Sequence, residues 1–228
     1  MEIINKNILD LKNKIVNAEN KYNRMNNSVI LMAVSKTQSL ENIKKAYESG
    51  QRDFGENYIQ ESIEKISQLN YLDITWHFIG KIQSNKSKII ADNFDWVHSV
   101  DKITTLKKIN DHRQITKKKL NICIQVNIDS EESKSGIALN EVEEFIKKCE
   151  EFHWINIRGL MAIPMYQADY NLQYKTFIKI KNVFDTLVMK GYKLDTLSIG
   201  MSSDYNAAIA AGSTIVRIGT AIFGERKK

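Results

Sequence analysis

The chain has 228 residues, 43% of them apolar, enough for one domain with a large core. Lys and Arg exceed Asp and Glu by 33 − 27 = +6, but the cations are scattered over helix-like faces, which argues against a nucleic-acid surface. The charged start MEIINKNILDLKNK lacks a signal-like apolar region, no apolar run approaches a membrane span, and no linker or repeat divides the sequence, so a single cytoplasmic domain over 1–228 is expected.

Ile4, Ile8, Leu11, Ile15, Ala18 and Tyr22 share one helical stripe, so residues 2–24 read as an amphipathic helix. An alternation follows. Strands are expected at 29–35, 53–56, 75–79, 96–100, 121–128, 155–161, 196–199 and 215–218. Helical patterns fill the gaps at 39–49, 58–69, 84–92, 102–117, 140–151, 170–190 and 204–211. Eight strands with a helix in each gap imply a parallel sheet closed as a (β/α)8 TIM barrel. A doubly wound open sheet is the alternative, but it would carry a glycine fingerprint after its first strand, and Ser35-Lys36-Thr37 is not one.

Side chains of a barrel strand alternate between the interior and the helices. With the aliphatic faces turned to the helices, Gln125, Asn127, Ser198 and Arg217 point inward. Lys36 ends the first strand on the side of Met32 and Val34, Asn57 ends the second, and His77 lies in the third. Binding groups of such barrels gather where strands end.

The closing stretch 197–224, LSIGMSSDYNAAIAAGSTIVRIGTAIFG, reads as strand, polar turn, short helix, strand and a second glycine-bearing turn. Ser203 or Asp204 suits the helix cap and Gly212 the position after it. Two turns rich in Gly, Ser and Thr, each just after a strand, offer backbone N–H groups and hydroxyls to a phosphate monoester. A lysine in a barrel mouth opposite an arginine is a carbonyl nucleophile in the making, because burial and a nearby cation both depress a lysine's pKa. An imine-forming lysine beside a phosphate cradle is economically explained by pyridoxal 5′-phosphate. The ring nitrogen then faces Ser198 or Arg217, and without an acid there the ring is a weak electron sink.

Other groups read plainly. His77, His98, His112 and His153 lack metal-ligand spacing, and no metal is expected. His77 is better taken as a pocket wall bonded to a neighbour. Cys123 and Cys149 are isolated packed thiols. Arg158 is either an internal ion-pair partner or a loop-facing charge. Lys134 reads as solvated, with a possible exchange role during cofactor release, and the loop 164–169 beside it as a candidate lid.

The motifs AVSK (33–36), FGENYIQE (54–61), WHFIGKIQSNK (76–86), SKSG ending at Gly136, RGLMAIP (158–164), LSIGMSSD (197–204) and VRIGTAIFG (216–224) together resemble the pyridoxal phosphate homeostasis protein family of the YggS/PROSC type, itself similar to the barrel domain of alanine racemase. The resemblance implies a fold-type-III barrel with an extra N-terminal helix. It implies the cofactor as a Lys36 aldimine and phosphate contacts from Ser202, Gly219 and Thr220. Asn57 and Met201 would line the ring, with Ser198 or Arg217 near its nitrogen. It also implies a carrier in cofactor homeostasis and delivery without established turnover; a monomer that touches PLP-dependent apoenzymes transiently is expected. The alternative is a PLP-dependent racemase-like enzyme. Racemisation wants acid/base groups on both faces of the substrate carbon, and Lys36 has only His77 and Tyr58 as weak companions. With the sequence ending at Lys228, four residues past Gly224, no counterpart of the second domain of alanine racemase is expected.

Overall fold

The computed structural model describes residues 3–129, 131 and 135–225. Eight strands form a closed, all-parallel barrel in sequence order: β1 (Ile30–Val34), β2 (Asp53–Glu56), β3 (Thr75–Phe78), β4 (Trp96–Val100), β5 (Leu120–Val126), β6 (Ile155–Ala162), β7 (Thr196–Ser198) and β8 (Ile215–Ile218). The barrel closes by pairing β8 with β1, which sets Met32 beside Arg217. Around it lie α1 (Ile3–Lys21), α2 (Leu40–Glu48), α3 (Ile59–Gln68), α4 (Ser87–Asn93), α5 (Ile103–Arg113), α6 (Val142–Lys148), α7 (Tyr170–Met189), α8 (Tyr205–Ala210) and α9 (Thr220–Phe223). Every expected strand and helix is present, with ends shifted by a few residues. The single turn of α9 is the addition: Ile222 N and Phe223 N both donate to Gly219 O where the sequence suggested only a turn.

A regular barrel needs a helix after its eighth strand, and four residues are too few to cover that seam. The N-terminal helix fills the place. It packs against α2, α8 and α9, and Asn7 Nδ2 donates to Ile222 O at 2.9 Å. The stripe Ile8, Leu11, Ile15 and Ala18 is buried there, each of the three larger side chains contributing about 1.5–3 kcal/mol. Its last turn also aims β1. Glu19 is fully buried, accepting from Val29 N at 2.8 Å and Ser28 Oγ at 3.2 Å on one oxygen and from Asn27 N at 3.1 Å on the other.

The apolar core lies between barrel and helices, while the barrel interior holds polar groups in layers. At the N-terminal end Arg158 donates to Asp195 and Asn121 and lies 4.8 Å from the centre of the Trp96 ring, an ion pair at the solvent-accessible rim of the barrel. In the middle His77 touches Asp53 and His98. At the C-terminal end are Arg217 and Gln125, inward as the alternation requires. Asn127 departs from that expectation. Its strand ends at Val126, so its amide ties the following loop instead, with Nδ2 donating to Glu131 O at 2.7 Å.

Candidate functional site

A cavity of about 290 Å³ opens at the C-terminal end of the barrel, near the roughly 300 Å³ lower bound for small-molecule sites. Lys36 enters from the turn after β1 and Asn57 from the end of β2. Met201, Ser202 and Ser203 come from the turn after β7, and Gly219, Thr220 and Gly224 from the segment after β8. Val34, Ile79, Met161 and Ile163 supply apolar wall. One amine therefore shares a pocket with two turns of small, hydroxyl- and amide-rich residues.

Backbone geometry fixes these positions. Asp204 is less a helix cap than a turn clasp: Oδ1 accepts from Met201 N at 2.6 Å, and Asp204 N donates to Met201 O at 3.1 Å. Burial raises the carboxyl's pKa. Gly200 has φ +96°, a conformation glycine alone adopts without strain, and its carbonyl accepts from Arg217 N at 3.0 Å. The turn after β7 is thus tied to β8, the strand that leads into the second polar turn. At α9 the amides of Thr220 and Ala221 precede the first in-helix donor, Ile222, and so have no partner within the helix. Asn57 Oδ1 is buried in contact with no hydrogen-bond donor.

Arg217 is 4% exposed and lines the cavity floor. Nη1 donates to the carbonyl of Ser198 and, at 2.8 Å, to its Oγ; Nη2 donates to Ala162 O at 2.9 Å. Burial pulls its pKa down to about 10, with Asp204 opposing, so the guanidinium stays cationic at neutral pH.

Residues 9–227 match the family described as alanine racemase, N-terminal domain. The pyridoxal phosphate homeostasis protein of Escherichia coli K12 is 44% identical over 229 residues, covering 99% of this chain and 98% of that protein. The chain belongs to the pyridoxal phosphate homeostasis protein family. A solved structure of PipY from Synechococcus elongatus PCC7942, with PLP bound, superposes with a TM-score of 0.85 at 32% identity, covering 97% of this chain and all of that one. Alanine racemase from Clostridium difficile 630 shares the fold, with a TM-score of 0.72 at 19% identity over 96% of this chain and 61% of that one.

For this family member the cavity brings together Lys36, Asn57, Met201, Ser202, Arg217, Gly219 and Thr220 of the residues expected from sequence. Ser198 stands behind Arg217 rather than on the cavity wall. His77 is a correction. It lies two residues deeper along its strand than the lining Ile79, roughly 6–7 Å at strand rise. Both its nitrogens are engaged, Nε2 with Asp53 Oδ1 and Nδ1 with His98 Nε2, each at 3.0 Å. Lys134 lies outside the described residues. Sequence reasoning missed Gln38, Ser203 and Gly224 as lining residues. The last two sit inside motifs already singled out, whereas Gln38 enters only through the turn after Lys36.

Proposed function

We propose that the chain binds pyridoxal 5′-phosphate in this cavity, with Lys36 capturing its aldehyde, and that it holds and hands on the cofactor. The observation that carries this reading is a single amine facing an anion cradle. Lys36 shares the pocket with Ser202, Ser203, Gly219 and Thr220, whose hydroxyls and helix-opening amides suit a phosphate. The residues fit the group in another respect too: the buried, unpartnered Asn57 Oδ1 is an acceptor awaiting a donor from a ligand.

When bound, the cofactor supplies an aldehyde that condenses with an amine, releasing one water, and a pyridine ring able to withdraw electrons. The chain's own groups temper that ring. Arg217, not a carboxylate, faces the cavity floor, and a fixed cation disfavours a proton on a neighbouring ring nitrogen. The wall also lacks a second acid/base: among its described residues are no His, Tyr, Cys, Asp or Glu. Tyr58 is 53% exposed and His77 is engaged below the floor. Racemisation needs such a partner on the opposite face, so holding and delivery is the better-supported role. In this reading a monomeric cytoplasmic carrier meets PLP-dependent apoenzymes transiently.

Protein mixed with pyridoxal phosphate should turn yellow, and borohydride should fix the cofactor's mass on the peptide bearing Lys36. Lys36→Ala with an unchanged visible spectrum would overturn the assignment. Rapid deuterium washout at the Cα of any common amino acid would reject the carrier in favour of a racemase-like enzyme.

A further inference from the structure

Behind the cavity, on the helix side of the barrel wall, charged residues converge on the two neighbours of Lys36. Lys65, from α3, spends its donors on Ser35 O at 2.7 Å, Glu56 Oε1 at 2.8 Å and Glu61 Oε1. Glu56 Oε1 also accepts from Ser35 Oγ at 2.6 Å, and Glu61 Oε1 from Thr37 N at 2.5 Å. Glu56 is fully buried and the Lys65 side chain is 6% exposed. The residue before Lys36 is held by its carbonyl and hydroxyl, the residue after it by its amide.

That grip answers a local difficulty. Ser35 O also accepts from Gln38 N at 3.0 Å, closing a tight turn with Lys36 and Thr37 at its centre. Thr37 has φ +64°, a position where turns ordinarily place Gly or Asn and where a β-branched residue is unfavourable. Such a turn persists only where its surroundings hold it. Glu61 bonds the very amide that this conformation exposes.

We propose that Lys65, Glu56 and Glu61 are positioning residues that fix the Lys36 turn so that its amine meets the aldehyde in the cavity. The proposal rests on Lys36 as the capturing amine, and none of the three clamp residues touches the cavity. Glu56 and Glu61 both belong to the motif FGENYIQE, whose carboxylates the binding site leaves unused.

Glu61 is the residue to change, because its side chain is 28% exposed and its loss leaves the Lys65–Glu56 pair intact. Two probes separate aim from shape: pyridoxal phosphate, and pyridoxine 5′-phosphate, which carries an alcohol in place of the aldehyde and binds without a covalent bond. Glu61→Ala should slow covalent loading of pyridoxal phosphate about tenfold or more, the scale set by ångström-level misplacement of a reacting group. Its affinity for pyridoxine 5′-phosphate should stay within about twofold, since Glu61 is not among the residues that line the cavity or its phosphate cradle. Glu61→Gln keeps an oxygen for Thr37 N and should recover most of the loading rate. Equal loading by wild type and Glu61→Ala overturns the clamp alone, as does a parallel loss of both probes. A wild type that never loads overturns the capture by Lys36 and the clamp with it.

Discussion

Arg217 Nη1 and Ser198 Oγ stand 2.8 Å apart inside the barrel, with the arginine, not the serine, facing the cavity. The carbonyls of Ser198 and Ala162 complete the fork, so the guanidinium is held flat by acceptors on two strands. Lysine keeps the charge but cannot reproduce a planar fork. Arg217→Lys should therefore strand a buried carbonyl and cost about 1–3 kcal/mol in urea unfolding. Ser198→Ala removes one bond while leaving both carbonyl contacts, at about 1 kcal/mol. Arg217→Lys as stable as Ser198→Ala would refute the fork. Cofactor affinity should follow the same order, measured by titration with pyridoxal phosphate.

Gly80 sets the position of Asn57. A Cβ built there would lie 2.1 Å from Asn57 O and 2.8 Å from its Cα, so backbone, not a flexible side chain, would have to move. Gly80→Ala should displace Asn57 from the cavity and weaken pyridoxal phosphate binding by about tenfold or more, with a stability loss of about 1–3 kcal/mol. Gly191→Ala is the comparison. Its Cβ would meet nothing, yet φ is +94°, so stability should fall without loss of binding. Calorimetric titration of both variants checks the contrast, and unaltered binding by Gly80→Ala would break the link to Asn57.

The barrel was legible because each strand–helix unit repeats a short-range pattern, and alternation within strands correctly turned Arg217 and Gln125 inward. The cavity was legible for a related reason: Lys36, Met201, Ser202, Gly219 and Thr220 all follow strand ends, where topology alone brings them together. Depth along a strand was harder. His77 has inward parity like Ile79, but parity does not say which layer a residue occupies, and only the stagger of neighbouring strands places it beside His98. The Lys65 cluster was invisible for a different reason. Its members lie on the helix-facing side of β2 and on α3, where a lysine and two glutamates read as an ordinary solvated face. So did the N-terminal helix as the cover of the last seam, since one amphipathic stripe does not name the surface it covers.

Buried His98 makes stability depend on pH in a definite direction. Asp53 Oδ1 lies 3.0 Å from His77 Nε2, which favours the proton there; His77 Nδ1 then accepts from His98 Nε2, and His98 Nδ1 is left a bare, buried acceptor with no partner. Burial first, then His77 and Arg217, holds the His98 pKa well below its ordinary value. As pH falls through about 6.5, the unfolded chain takes a proton on this residue and the folded protein does not. Stability is therefore present above that pH and lost below it, by about 1.4 kcal/mol per pH unit at 25 °C until the folded-state pKa is reached. His98→Gln keeps a donor for His77 but cannot titrate. Subtracting its unfolding free energy from that of the wild type at each pH cancels the carboxylates common to both proteins. The difference should be level from pH 8 to about pH 7 and then turn steadily against the wild type toward pH 5. A difference that stays level to pH 5 would mean that His98 is protonated as readily in the fold as outside it.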